Sequence, residues 1–122
     1  MSQAIMVVDD SPSVRRLMGF SLTSANYRVV EAANGHEALE LFEREDISMV
    51  ITDLNMPKMN GLQLIKELRG GRASRFMPIV LLTSESEQEN RQQSKEVGAS
   101  AWLNKPFKPN QLLQMVRMVL PN

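Results

Sequence analysis

Ala4-Ile5-Met6-Val7-Val8-Asp9-Asp10 is the segment that decides the fold, because an apolar run of strand length leads directly into two carboxylates. Short, continuous apolar runs of this kind are typical of strands that are buried on both faces of a parallel sheet. Three later segments have the same form: Met49-Val50-Ile51-Thr52 before Asp53, Ile79-Val80-Leu81-Leu82 before Thr83, and Ala101-Trp102-Leu103-Asn104 before Lys105.

Helical spacing of apolar residues alternates with these runs about five times along the chain. This alternation predicts an α/β fold, a doubly wound parallel sheet of five strands with helices on both faces. The predicted strands are 4–8, 27–32, 49–53, 78–83 and 101–104. The predicted helices begin at Ser11-Pro12, at Asn34-x-x-Glu37, near Leu62, at Ser86-x-x-Glu89 and at Pro109, and Gly70-Gly71 is expected to stop the third.

The composition sets limits on partners and location. The chain has 122 residues, 14 basic and 14 acidic side chains, a net charge of zero and no cysteine. We expect one compact domain over residues 1–122 with no second domain, no attraction to nucleic acid by bulk charge and no thiolate metal site. The sequence has neither a signal peptide pattern nor an apolar stretch of membrane-spanning length, so we expect a cytoplasmic protein without a membrane partner.

A parallel sheet brings the carboxyl ends of its strands to one edge, where open α/β sheets bind ligands. Three carboxylates gathered there repel one another unless a cation lies among them, and oxygen ligands in a partly open site suit Mg²⁺. A carboxylate can also attack phosphorus, with an ammonium and a hydroxyl stabilising the transferred group. Each residue alone is also explained as a helix cap or a turn residue. Because four predicted strands carry such polar residues at their carboxyl ends, in register, we favour a joint site. In this site Asp53 is the nucleophile, Asp9 and Asp10 lie at the metal, and Thr83 and Lys105 lie at the phosphoryl group.

These residues carry a family resemblance that covers essentially the whole chain. Its features are the Asp9-Asp10 pair, Asp53, the Met56-Pro57-x-x-x-Gly61 loop, Thr83-Ser84 and Lys105-Pro106-Phe107. Together they resemble the receiver domain of bacterial response regulators, most closely the single-domain, CheY-like kind that has no output domain. The resemblance implies a flavodoxin-like (βα)5 sheet in the strand order 2-1-3-4-5.

The resemblance also implies roles for the site residues. Asp53 is expected to be the phospho-acceptor, taking its phosphoryl group from a phosphohistidine on a sensor kinase. Asp10, Asp53 and the backbone carbonyl of Asn55 are expected to bind Mg²⁺ directly, with Asp9 acting mostly through water. Thr83 and Lys105 are expected to contact the phosphoryl group, and the Lys105-Pro106 bond is expected to be cis.

Two further positions are singled out by the family pattern. Trp102 stands where the family usually has a switch Tyr or Phe, and an indole is bulkier and seeks a partner for its N–H. A ring swing at Trp102 is therefore restricted, or Trp102 is simply a packed strand residue; both readings stay open. Asn55 and Glu85 stand where the family tunes the lifetime of the aspartyl-phosphate, and this pair predicts a short-lived signal.

The hypothesis is a phosphorylation-dependent switch rather than a conventional enzyme, one that catalyses only its own phosphorylation and dephosphorylation. Its fourth helix, fifth strand and last helix are expected to form the face for a downstream protein, with the chain a monomer or weak dimer. The alternative is an aspartyl-phosphate phosphatase of haloacid dehalogenase type, whose general acid two residues after the nucleophile is here replaced by Asn55. A nucleotide-binding protein is disfavoured because no glycine-rich phosphate loop follows the first strand.

Overall fold

The computed structural model describes residues 3–73, 76–84 and 90–120, in which five parallel strands form one sheet. The strand order is β2-β1-β3-β4-β5, which confirms the predicted class and order. Every strand lies within one residue of its predicted bounds. The strands are β1 (Ala4–Val8), β2 (Arg28–Ala32), β3 (Met49–Asp53), β4 (Ile79–Thr83) and β5 (Ala101–Asn104).

The three central strands are buried along their full length. All residues of β1, β3 and β4 are buried, whereas the edge strands β2 and β5 are partly exposed. This is the burial that continuous apolar runs predict for strands covered by helices on both faces. The central strands are also the ones that end in Asp53 and Thr83 or lead into Asp9, so a rigid support lies under the predicted site.

In the described residues, four α-helices lie between successive strands and a fifth follows β5. Ser11 caps the first by accepting a hydrogen bond from the Val14 N–H at 3.4 Å, and Pro12 takes the first helical position, as the sequence predicts. The predicted start of the fourth helix at Ser86 lies outside the described residues. The described helices are α1 (Pro12–Ser24), α2 (Gly35–Arg44), α3 (Gly61–Glu67), α4 (Asn90–Val97) and α5 (Pro109–Val119).

Two apolar cores lie on opposite faces of the sheet. Alternation along β1 sends Ile5 and Val7 to one face and Met6 and Val8 to the other. On the first face, β1 packs with α1 and α5 through residues that include Met18, Leu22, Leu112 and Val116. On the second face, it packs with α2 and α3 through residues that include Ala38, Leu64 and Ile65.

Two details of the helices differ from the sequence prediction. Apolar helical spacing alone would place Leu17 on the buried face of α1 beside Met18. Leu17 is nevertheless 41% exposed, because it lies about 100° around the helix from the buried Met18. The predicted capping box of α2 is only half formed. Asn34 Oδ1 accepts the Glu37 N–H at 2.8 Å, but Glu37 Oε1 accepts the Ala33 N–H at 3.2 Å rather than that of Asn34.

The end of α3 also differs from the expected stop at Gly70-Gly71. The helix ends at Glu67 and continues as a π-helical turn over Leu68–Arg72, in which Gly71 has a φ of 154° that favours glycine. This turn carries Arg69, whose Nε donates to the carbonyl of Gly98 at 3.0 Å. The end of α3 is thereby tied to the loop between α4 and β5.

Candidate functional site

The carboxyl ends of the strands meet at one edge and bring the predicted residues together. Asp9 follows β1, Asp53 ends β3, Thr83 ends β4 and Lys105 follows β5. Lys105 Nζ lies 2.9 Å from Asp9 Oδ2 and 2.9 Å from Asp53 Oδ1. One ammonium group therefore bridges two carboxylates that are distant in the sequence.

Asp10 completes a group of three carboxylates at this edge. Asp9, Asp10 and Asp53 each place one carboxylate oxygen so that the three oxygens lie within 4.8 Å of one another. Asp9 and Asp53 are buried and Asp10 is exposed. Lys105 balances only one of the three negative charges, so the donor set fits a divalent cation that prefers oxygen ligands, such as Mg²⁺.

Burial and charge shift the pKa values of the central pair. Burial raises the pKa of Asp53, repulsion from Asp9 adds to the rise, and the hydrogen bond from Lys105 only partly offsets it. Burial acts to lower the pKa of Lys105, but its hydrogen bonds to Asp53 and Asp9 outweigh that effect and the pKa is raised. Lys105 is therefore firmly protonated, while the negative charge on Asp53 is costly without a further cation.

Asp9 is completely buried, and contacts surround both its side chain and its backbone. Its Oδ1 accepts the Ser11 N–H at 2.9 Å and its Oδ2 accepts from Lys105. Its N–H donates to the Ala32 carbonyl at 3.2 Å, and its own carbonyl accepts from Arg15 Nη1 at 2.6 Å. Arg15 is not among the predicted site residues, and its place one turn into the helix after Asp9-Asp10 is the one sequence feature that points to it.

The loop after β3 fits closely around Asp53. The Leu54 N–H donates to Asp53 Oδ1 at 2.9 Å, and the Gly61 N–H donates to the Leu54 carbonyl at 2.8 Å. A Cβ at Gly61 would lie 2.3 Å from the Asp53 carbonyl oxygen, so no other residue fits there without moving backbone. Asn55 is exposed in this loop, and the role of its carbonyl stays a prediction.

Thr83 and Lys105 meet where β4 and β5 end side by side. Thr83 is completely buried, and its Oγ1 lies 3.3 Å from Asn104 Oδ1, to which it donates a hydrogen bond. The Lys105 N–H donates to the Thr83 carbonyl at 2.6 Å, and the Lys105-Pro106 bond is cis, as expected. Asn104 was not singled out in the sequence, although its register with Thr83 follows once the strands are paired.

Trp102 is half-buried on β5, where it packs against the core between the sheet and α2 and α3. Its Nε1 donates to the hydroxyl of Ser94, a completely buried residue of α4. Packing as a strand residue is therefore observed, whereas the restricted ring swing stays a prediction. Glu85, the second predicted lifetime residue, lies outside the described residues.

The chain matches a known family of signalling domains over most of its length. The profile of the response regulator receiver domain matches residues 5–117, and the chain belongs to this family. The structure is similar to that of the chemotaxis protein CheY4 of Vibrio cholerae, with 39% identity and a TM-score of 0.93 over 98% of this chain and 100% of that one. It is also similar to a putative response regulator from Chloroflexus aurantiacus, with 30% identity and a TM-score of 0.93 over the full length of both chains.

Curated relatives are longer proteins. The probable transcriptional regulator ycf27 of Porphyra purpurea is 40% identical over 118 residues, which are 97% of this chain and 47% of that protein. The transcriptional regulatory protein SrrA of Staphylococcus aureus is 35% identical over 120 residues, 98% of this chain and 48% of that protein. The chain thus spans about half the length of these relatives, and the absence of a nucleic-acid partner stays a prediction.

Three further expectations concern a magnesium site, the phosphatase alternative and the membrane. Receiver domains bind Mg²⁺ at an acidic pocket, and Asp9, Asp10 and Asp53 form an acidic group in this chain. The phosphatase alternative gains no support from any of these matches. Within the described part of the chain, no helix has both the length and the apolar character needed to cross a membrane.

Proposed function

We propose that the chain is a phospho-accepting response regulator in which Asp53 receives a phosphoryl group from a phosphohistidine of a sensor kinase in a Mg²⁺-dependent reaction. The observation that carries the proposal is the position of Asp53. Its buried carboxylate lies 2.9 Å from Lys105 Nζ and within a group of three carboxylates at the edge of a parallel sheet. A carboxylate nucleophile beside a cation site and an ammonium is the arrangement that phosphoryl transfer requires.

In this proposal, Asp10, Asp53 and the backbone carbonyl of Asn55 hold Mg²⁺ directly, and Asp9 contributes through water. Bound Mg²⁺ supplies positive charge that neutralises the phosphoryl oxygens. The contacts of Asp9 support an indirect role, because both of its carboxylate oxygens already accept hydrogen bonds from Ser11 and Lys105. Asp10 is the exposed member of the group and so the most accessible to an incoming ion.

The transfer step forms one bond and breaks one. An Asp53 carboxylate oxygen attacks phosphorus and forms an acyl-phosphate as the bond between phosphorus and the donor imidazole nitrogen breaks. The electron pair of that bond stays on the imidazole nitrogen, and the imidazole leaves in its neutral form because its other ring nitrogen already carries a proton. Lys105 and the Thr83 hydroxyl stabilise the charge on the phosphoryl oxygens.

Phosphorylation then biases the surface formed by α4, β5 and α5 towards binding a downstream protein. Two contacts support this route. The Thr83 hydroxyl is bonded to Asn104 at the end of β5, so it must change partner to reach a phosphoryl group. Trp102 links β5 to Ser94 of α4. Asn55 and Glu85 would keep the signal short, and the protein would act in the cytoplasm as a switch rather than as a conventional enzyme.

Intact mass after incubation with acetyl phosphate tests the proposal. We expect wild type to gain one phosphoryl group when Mg²⁺ is present and none when the metal is chelated. Asp53→Asn should gain none, whereas Asp46→Asn, which changes an exposed carboxylate away from the site, should behave as wild type. A folded wild-type protein that gains no phosphoryl group, either here or from a histidine kinase, would refute the proposed function.

A further inference from the structure

The carbonyl of Asp9 is a buried acceptor beyond the end of a strand ladder. The Asp9 N–H still donates to the carbonyl of Ala32, but β2 ends at Ala32 and its regular pairing with β1 stops there. A buried carbonyl without a partner costs free energy. Arg15 Nη1 donates to this carbonyl at 2.6 Å, and the positive charge of the guanidinium strengthens the hydrogen bond.

Arg15 is itself held in place from a second side. Its Nε lies 3.4 Å from Glu31 Oε1, and its side chain is only 17% exposed. Glu31 belongs to β2 and stands in register with Val7 of β1. Arg15 therefore joins α1, the edge strand β2 and the turn after β1. Its forked guanidinium bonds the carbonyl through Nη1 and pairs with the carboxylate through Nε.

The peptide plane that Arg15 bonds is the one between Asp9 and Asp10. A hydrogen bond to the Asp9 carbonyl fixes the orientation of that plane and so the direction in which Asp10 leaves the strand. We infer that Arg15 is a positioning residue for the cation site, which holds the Asp9-Asp10 turn so that the exposed Asp10 carboxylate faces Asp53. This inference rests on the proposed function, because it concerns the same Mg²⁺ site.

Simple electrostatics and positioning predict opposite results when Arg15 is removed. A positive charge near a cation site repels the cation, so its loss alone would strengthen Mg²⁺ binding. Loss of a group that orients a metal ligand weakens binding, typically by about 10-fold or more. The sign of the change in the dissociation constant therefore decides between the two.

The experiment is a calorimetric titration of the full chain with Mg²⁺, free of phosphodonor. We expect Arg15→Ala to bind Mg²⁺ about 10-fold more weakly than wild type. Arg15→Lys keeps the positive charge but loses the planar guanidinium with its several N–H donors. It should bind Mg²⁺ more weakly than wild type and more tightly than Arg15→Ala. Arg16→Ala, which removes the neighbouring exposed arginine, should leave the dissociation constant unchanged.

A kinetic readout separates positioning from general damage to the fold. With acetyl phosphate and saturating Mg²⁺, the phosphorylation rate of Arg15→Ala should return towards that of wild type, because excess metal compensates for the weaker site. A rate that stays low at saturating Mg²⁺ would overturn the inference. So would equal or tighter Mg²⁺ binding by Arg15→Ala or, if that variant does not fold, by Arg15→Lys. Failure of wild type to bind Mg²⁺ would instead refute the proposed function itself.

Discussion

At the residue scale, the charge on Asp53 destabilises the fold when no divalent cation is bound. Burial and the nearby Asp9 raise the pKa of Asp53 above its ordinary value of 3.8. The folded state therefore holds a proton on this carboxyl group more tightly than the unfolded state does. The stability that this protonation confers is complete below the ordinary pKa and is lost as the pH rises through the folded pKa.

Asp53→Asn should consequently be more stable than wild type at neutral pH without divalent cations. The amide removes the buried charge and its repulsion from Asp9, while Lys105 keeps its ion pair with Asp9 at 2.9 Å. We therefore expect a gain in the free energy of unfolding relative to wild type. The gain should shrink as the pH falls towards the ordinary pKa, and urea denaturation from about pH 8 to about pH 4 measures it.

Asp46→Asn is the control for this series, because Asp46 is exposed and far from the site edge in the fold. Its stability should follow that of wild type across the pH range. If Asp53→Asn were instead less stable than wild type at neutral pH, the ion pair between Asp53 and Lys105 would outweigh the cost of burying the carboxylate.

At the scale of elements, the loop between β3 and α3 brings the backbone of Gly61 very close to the backbone of Asp53 and Leu54. The Cβ of an alanine at Gly61 would lie 2.3 Å from the Asp53 carbonyl oxygen and 3.0 Å from the Leu54 Cα. Both are backbone atoms, so relief requires the loop itself to move. The glycine in the Met56-Pro57-x-x-x-Gly61 pattern is thus explained by packing against the segment that carries Asp53.

Gly61→Ala should lower the free energy of unfolding by about 1–3 kcal/mol, the usual cost of forcing extra atoms into a packed site. Gly70→Ala is the matched control, because nothing lies within 4 Å of a Cβ built there. It should be neutral or slightly stabilising, since alanine loses less backbone entropy than glycine on folding. Equal stability of Gly61→Ala and Gly70→Ala in chemical denaturation would contradict this account.

The second element whose position depends on one specific contact is α4. Of its residues 92–96, only Ser94 is buried, and the flanking Gln92, Gln93, Lys95 and Glu96 are exposed. The Ser94 hydroxyl accepts the indole N–H of Trp102. A helix with so narrow a buried face depends on a few contacts for its position.

Ser94→Ala should therefore loosen α4 more than it destabilises the whole domain. We expect a loss of about 1 kcal/mol in global stability from the missing hydrogen bond, together with faster amide hydrogen exchange across residues 92–97. Gln93→Ala, which changes an exposed neighbour, should leave the exchange rates unchanged. Unaltered exchange in Ser94→Ala would show that other contacts hold the helix.

At the scale of the whole molecule, the sequence predicts what depends on one segment at a time. Continuous apolar runs locate the strands, and parallel pairing then gathers their polar ends, so the joining of Asp9, Asp53 and Lys105 was foreseeable. The bond from Arg15 to the Asp9 carbonyl and that from Trp102 to Ser94 were not. They depend on how far each side chain reaches across packed elements, and no spacing in the sequence encodes that distance.

Because folding brings the carboxylates together, the free energy of unfolding should also depend on bound metal. Asp10 and Asp53 come from different strand ends and meet only in the folded sheet, so Mg²⁺ should bind the folded chain in preference to the unfolded one. At about 100 times its dissociation constant, Mg²⁺ should raise the free energy of unfolding by about 2.7 kcal/mol. Thermal melts with MgCl₂, against KCl of equal ionic strength, measure the effect. Asp10→Asn should lose most of the stabilisation by Mg²⁺, whereas Asp46→Asn should keep all of it. Equal stabilisation of Asp10→Asn and wild type would place the ion elsewhere on the molecule.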